Sequence, residues 1–252
     1  MRPHTVVRGT RGTPVLMLHG IGGCAGSFDP QMEAFAAGHR VVAWDAPGYA
    51  RSADPARAPG MSGYAAAAAY LIPEGAHVVG VSWGGVIATR LAAEHPRLVR
   101  SLVLVGSSRG SGRTPQGREA MLARAADLER LGPEEFAARR GPRLVSPDAP
   151  AELVDRVVTA MARSVRLPGY AYAAASMADT DHSDVLGALT VPALVVVGDR
   201  DTVTGPAESG AIAAALPHAR LEVLAGAGHV ANQQRPDEFN RVVLRFLREV
   251  EQ

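Results

Sequence analysis

The stretch His77-Val78-Val79-Gly80-Val81-Ser82-Trp83-Gly84-Gly85-Val86-Ile87-Ala88-Thr89-Arg90-Leu91 decides how the chain is read. Its first five residues are a continuous apolar run of the kind a buried strand presents, and the residues from Val86 onward carry helical spacing. Ser82 therefore falls on a strand-to-helix turn. Such a turn strains the serine backbone and lifts its hydroxyl above the sheet edge. Glycines two before and two after it, Gly80 and Gly84, remove side chains that would strike the adjoining strand and helix. The N-terminus of the following helix aims free backbone N–H groups at the same point, where they can stabilise a negative oxygen, with Trp83 supplying the first. A plain glycine-rich turn would leave the strand before and the helix after Ser82 unexplained. Ser82 is thus the candidate nucleophile.

With 252 residues, 47% of them hydrophobic, the chain can bury one large core and fits a single domain carrying an insertion. The formal charge of +1, with acids and bases scattered, excludes a nucleic-acid or polybasic membrane-binding surface. There is no lysine, so every basic side chain other than histidine is arginine. Cys24 is the only cysteine, which rules out an intrachain disulfide and a cysteine-rich metal site and suits a reducing cytoplasm. No run approaches the length of a signal peptide or a membrane span. A soluble cytoplasmic protein, monomer or homodimer, is expected.

Working outward from the turn, Thr5-Val6-Val7 reads as a short edge strand and Pro14-Val15-Leu16-Met17-Leu18 as a buried one. The latter ends in the glycine-rich loop His19-Gly20-Ile21-Gly22-Gly23. A helix over 28–37, the strand Val41-Val42-Ala43-Trp44, an alanine-rich helix over 64–72 and, past the turn, the strand Ser101-Leu102-Val103-Leu104-Val105 follow. Apolar strands alternating with helices predict an α/β fold, a mostly parallel sheet covered on both faces. Between 107 and 184 the alternation stops. Helical patterns over 117–131, 133–140, 151–166 and 169–177 take over, and a stretch this long without a strand is read as a helical cap inserted into the core. The expected division is a core of 1–106 and 185–252 and a cap of 107–184. The sheet resumes at Ala193-Leu194-Val195-Val196-Val197 and Leu221-Glu222-Val223-Leu224, and an amphipathic helix over 236–250 closes the chain.

A serine hydroxyl needs a base within hydrogen-bond reach, and that base needs an orienting carboxylate. Gly198-Asp199-Arg200-Asp201 follows one late strand, and Gly226-Ala227-Gly228-His229 follows the next. In a parallel sheet the carboxyl ends of strands share one edge, so these residues converge on Ser82. His229 is the candidate base, and either Asp199 or Asp201 can serve as the acid. Cys24 reads as a small buried hydrophobe. The cluster Asp179-Thr180-Asp181-His182-Ser183-Asp184 resembles metal ligands in composition but reads as a cap for the chain's return to the core.

Across nearly its whole length the chain resembles the α/β-hydrolase superfamily, through His19-Gly20, Asp45-Ala46-Pro47-Gly48-Tyr49, the turn at Ser82, Gly198-Asp199-Arg200-Asp201 and Gly228-His229. Gly228-His229-Val230-Ala231-Asn232 followed by Arg235-Pro236 is most similar to the 3-oxoadipate enol-lactonase-like and carboxylesterase branch. The resemblance implies Asp201 as the acid and the N–H of Ile21 as the second oxyanion donor beside Trp83. Trp83 stands where those lactonases commonly have methionine, and Ala50 where the Asp-x-Pro-Gly-Tyr loop usually continues with glycine. His19 braces the oxyanion loop in this reading.

The expected function is hydrolysis of a small-molecule carboxylic ester or lactone through Ser82, His229 and Asp201, with no metal or organic cofactor. The rivals are C–C bond hydrolysis, acyl transfer or cofactor-free perhydrolysis on the same residues and, from another class, a ligand receptor that does not turn over. A cap over Ser82 predicts a small or medium apolar acyl group. Its expected walls are Met121, Leu122, Met161, Tyr170 and Tyr172, with His19, Gly20 and Val230 from the core.

Overall fold

The computed structural model describes residues 2–252. Seven strands form one sheet: β1 (Thr5–Arg8), β2 (Val15–Leu18), β3 (Val41–Trp44), β4 (Ala76–Val81), β5 (Val99–Val105), β6 (Ala193–Gly198) and β7 (Ala219–Leu224). Their order across the sheet is β1-β3-β2-β4-β5-β6-β7. β1 is antiparallel to β3, and every other pairing is parallel. The apolar runs are buried from end to end in β2, β3, β4 and β6. The strand period divides them between two cores. Leu16 and Leu18 of β2 face one layer of helices, and Val15 and Met17 face the other.

On the first face lie α2 (Gly60–Ala69) and α3 (Trp83–Glu94); on the second lie α1 (Asp29–Ala36) and α9 (Pro236–Val250). The closing helix α9 spans the predicted residues and buries Phe239, Val242, Val243, Phe246 and Leu247 against the sheet. The alanine-rich helix α2 starts four residues earlier than its alanines suggest. The helix predicted at 28–37 is shorter, because residues Ala25–Phe28 form a 3-10 turn that feeds α1. The short helices α7 (Gly205–Ala215) and α8 (Ala231–Gln234) complete the core layers.

Between β5 and β6 the described chain forms helices only: α4 (Pro115–Arg140), α5 (Ala151–Ser164) and α6 (Gly169–Ala178), with two short 3-10 turns. The break expected after residue 131 is a kink within α4. Gly132 takes φ 73°, ψ 165°, and Pro133 follows it, so the helix changes direction there rather than running on. α6 is held to the core at two points. A side chain at Gly169 would strike the backbone of Gly48, and Trp83 Nε1 of α3 donates to Ser176 Oγ at 3.0 Å.

Candidate active site

β2 leads into β3 on one side of itself, whereas β4 lies on its other side. The crevice at such a reversal, outside the carboxyl ends of the strands, is where open α/β sheets bind ligands. The loop after β2 and the turn after β4 flank that crevice. Ser82 has φ 52°, ψ −116°, and among the described residues it is one of two non-glycines with positive φ, Ala50 being the other. That backbone is strained for a residue with a Cβ. The surroundings hold it in place. Ser82 N–H donates to Val105 O at 2.8 Å, and Ser107 Oγ donates to Ser82 O at 3.1 Å. A Cβ on Gly80 would meet the Gly84 backbone and one on Gly84 the Leu18 backbone, so both glycines are dictated by close approach.

The Ile21 loop crosses directly over this turn, since a Cβ on Gly20 would lie 3.3 Å from Ser82 Cβ. Among the described residues, neither Ile21 N–H nor Trp83 N–H donates to a protein acceptor, and both residues border the space around Ser82. Both ring nitrogens of His19 make contacts to the backbone. Its Nδ1 meets Gly20 O at 2.7 Å, and Ala46 N–H donates to its Nε2 at 3.0 Å. The second bond assigns the proton to Nδ1. Burial pulls the His19 pKa down to about 4, so it is neutral at pH 7 with both ring nitrogens engaged.

The choice between the two aspartates is a matter of direction. Asp201 Oδ2 lies 3.0 Å from His229 Nδ1. Asp199 is exposed and accepts from Gly226 N–H at 2.7 Å. Asp201 Oδ1 accepts from the N–H groups of Val203 and Thr204, at 2.8 and 3.2 Å, and the Thr204 hydroxyl stands 2.8 Å from Oδ2. Burial would raise the Asp201 pKa, but the hydrogen bond and charge of His229, joined by Val203 and Thr204, bring it down to about 2. Thr204 and Gly106 went unnoticed in the sequence. A Cβ on Gly106 would crowd His229 Nδ1 and Asp201 Oδ2, and the glycine closing β5 was the available signal.

Ser82 stands where two cavities meet. One, of about 370 Å³, is bordered by His19, Gly20, Ile21, Met161, Tyr170, His229 and Val230. The other, of about 270 Å³, is bordered by Ile21, Trp83 and Met121, by Ser108 and Ser111, and by the charged Arg113, Glu208 and Arg124, the last shared with the larger space. Ser82 Oγ and His229 face the first cavity, with no hydrogen bond between them in this structure. Of the predicted cap residues, Met161 and Tyr170 border the larger space and Met121 the smaller. Tyr172 borders neither: two residues on from Tyr170, it lies about 200° round α6 from it. Leu122 is exposed. Three arginines that the sequence reading did not name, Arg124, Arg140 and Arg143, join the apolar residues that line the larger cavity. Arg124 shares the helical face of buried Met121 and Leu128, at the i, i+3 and i+7 spacing, which is where the sequence signal lay.

Cys24 is half-buried rather than buried, because it starts the 3-10 turn at the loop surface; burial pushes its thiol pKa up and keeps it protonated. In the acidic cluster, Asp179 pairs with Arg118, and Asp181 Oδ1 accepts from Ser183 N–H at 2.8 Å in a local turn.

This sheet order, with a strained serine after its central strand, places the chain among enzymes of one class: it belongs to the alpha/beta hydrolase family, whose model matches residues 15–242. A 2-hydroxy-6-oxononadienedioate/2-hydroxy-6-oxononatrienedioate hydrolase of a Pseudomonas species is 31% identical over 92% of this chain and 87% of its own. A thermophilic esterase from Thermogutta terrifontis superposes with a TM-score of 0.90 at 27% identity, covering 99% of this chain and 94% of that one. The enol-lactonase from Burkholderia xenovorans shares the fold at 24% identity, with a TM-score of 0.86 over 97% and 95% of the two chains. Among the described residues no helix is long and apolar enough to cross a membrane.

Proposed function

We propose that the protein is a serine hydrolase that cleaves a small-molecule carboxylic ester or lactone. The observation that carries this reading is the strained Ser82 turn opening on the same cavity as His229, whose other ring nitrogen is held by Asp201. Bound substrate brings its carbonyl carbon to Ser82 Oγ. His229 Nε2 takes the hydroxyl proton as the Oγ–C bond forms, and the negative oxygen settles against the N–H groups of Ile21 and Trp83. Collapse breaks the C–O bond, and His229 returns the proton to the leaving alkoxide. Water then adds to the acyl-enzyme by the same route and releases the acid. Asp201, ionised well below neutral pH, keeps the His229 proton on Nδ1 and offsets the charge that builds on the ring.

A second reading is favoured by the 31% identity to a hydrolase of a 2-hydroxy-6-oxo dienedioate: C–C bond cleavage at the same serine. Product analysis separates the two, since the leaving group is a carbon acid rather than an alcohol. A panel of p-nitrophenyl esters and lactones of graded acyl length tests the principal reading. Ser82→Ala is expected to stay folded and lose turnover by about five to six powers of ten. Activity near that of the wild type in this variant would overturn the mechanism.

A further inference from the structure

Arginines on α4 fall into two groups. Those facing outward have acids beside them: Arg118 with Asp179, Arg130 with Asp127 and Arg139 with Glu135. Arg124 and Arg140, which border the larger cavity, have none within ion-pair distance among the described residues, and neither has Arg143 at its mouth. Sixteen residues along a straight helix is about 24 Å, yet with α4 kinked between them at Gly132-Pro133, Arg124 and Arg140 both border one cavity.

Aromatic rings hold them there. The Arg140 guanidinium lies 5.5 Å over the Phe136 ring, and Phe136 meets Tyr170 edge-on at 5.1 Å between centroids. Tyr170 is buried, and its hydroxyl faces Arg124. Burial and the like charges of Arg140 and Arg143 both pull the Arg124 pKa down, with the Tyr170 phenol partly offsetting them. Cations crowded together in a half-buried space, with no anion from the protein, are stabilised by an anion that comes from outside.

We propose that Arg124 and Arg140, with the Tyr170 hydroxyl beside them, form a carboxylate-binding subsite at the cap end of the cavity. The acyl part of the substrate then carries a second carboxylate remote from the carbonyl that Ser82 attacks. This rests on the ester or lactone reading above. The smaller cavity, which also touches Ser82 and which Arg124 borders as well but Arg140 does not, leaves room for the departing alcohol. Guanidinium groups suit this task because their planar forks match a carboxylate in two parallel hydrogen bonds.

The test compares p-nitrophenyl hemiesters of five- to eight-carbon dicarboxylic acids with neutral p-nitrophenyl esters of the same chain length. In the wild type at least one hemiester is expected to exceed its neutral counterpart in kcat/KM by about tenfold or more. In Arg124→Gln and Arg140→Gln that ratio should fall toward one, through KM more than kcat, and Arg124→Lys should restore it only in part. A phosphonate-terminated ester cleaved faster than the hemiesters would overturn the carboxylate assignment. Calorimetric binding of adipate and of hexanoate to the wild type decides the matter without turnover. Adipate should bind about tenfold tighter and lose that margin in the variants that fold. Equal binding of the two acids, or neutral esters cleaved as well as hemiesters, would overturn the subsite while leaving the hydrolase reading intact. A protein that cleaves no ester at all but binds adipate preferentially would instead overturn the hydrolase reading and keep the subsite.

Discussion

At the residue scale the decisive question is which acid serves His229. The two candidates sit two positions apart on one loop, and spacing in the chain left both available. What separates them is where each carboxylate points once β6 has ended: Asp199 outward to the Gly226 N–H, Asp201 inward to His229 Nδ1. Asp201→Asn is therefore expected to lower kcat on a p-nitrophenyl ester by about three to four powers of ten, because the ring loses the partner that fixes its tautomer. Asp199→Asn should cost only a few-fold, and the reverse ranking would transfer the role. Ser82 and His229 were legible because backbone strain and strand ends leave marks in the sequence, namely flanking glycines and apolar runs. Thr204 was not, because a threonine that supports a carboxylate has the same neighbours in sequence as a solvent-facing one. Arg124 left a partial mark in its i, i+3 and i+7 spacing with Met121 and Leu128, but that spacing does not tell a cavity-facing stripe from a packed one.

At the element scale the central strands and α9 followed their hydrophobic periods, since a run buried on both faces and a one-sided stripe are set by local sequence; the edge strand β7 did not, its Leu221 and Val223 being exposed. The kink in α4 was equally visible in Gly132-Pro133. Which face of each insertion helix meets the cavity was not, because that depends on how α4, α5 and α6 cross one another. α6 shows the difference: Tyr170 reaches the cavity and Tyr172, on the opposite side, does not. Met161 of α5 lies against Gly22 of the oxyanion loop, as a Cβ there would meet its Cγ at 3.3 Å. Met161→Ala should therefore enlarge the acyl space next to Ser82 and shift the preferred chain length upward. Each added methylene is worth about 1–3 kcal/mol at most in kcat/KM. The check is the length profile across a series of esters, and an unchanged profile accompanied only by a lower Tm would reduce Met161 to packing.

At the scale of the whole molecule, acid sensitivity follows from two histidines that folding forces to be neutral. Burial pulls His19 and His182 down to about 4, and both His182 ring nitrogens lack a protein partner. In the unfolded chain they titrate near 6.5. Between those limits the unfolded state binds more protons, so stability is full above pH 6.5 and declines as pH falls toward 4, by up to roughly 3 kcal/mol per histidine. His182→Leu removes one of the two and should flatten the fall in urea midpoint between pH 7.5 and 4.5; a slope equal to that of the wild type would show that His182 does not carry the effect. The anchoring of α6 has a different kind of consequence. This helix is locked to the core through Gly169 on Gly48 and Ser176 on Trp83, whereas α4 rests chiefly on its fellow insertion helices. Drift in α4 can therefore rewrite which molecules are admitted while the groups that break the bond stay where they are. Part of the cavity's wall is thus free to evolve at a different speed from the Ser82 turn, while Ile21 and Val230 tie the rest of it to the core.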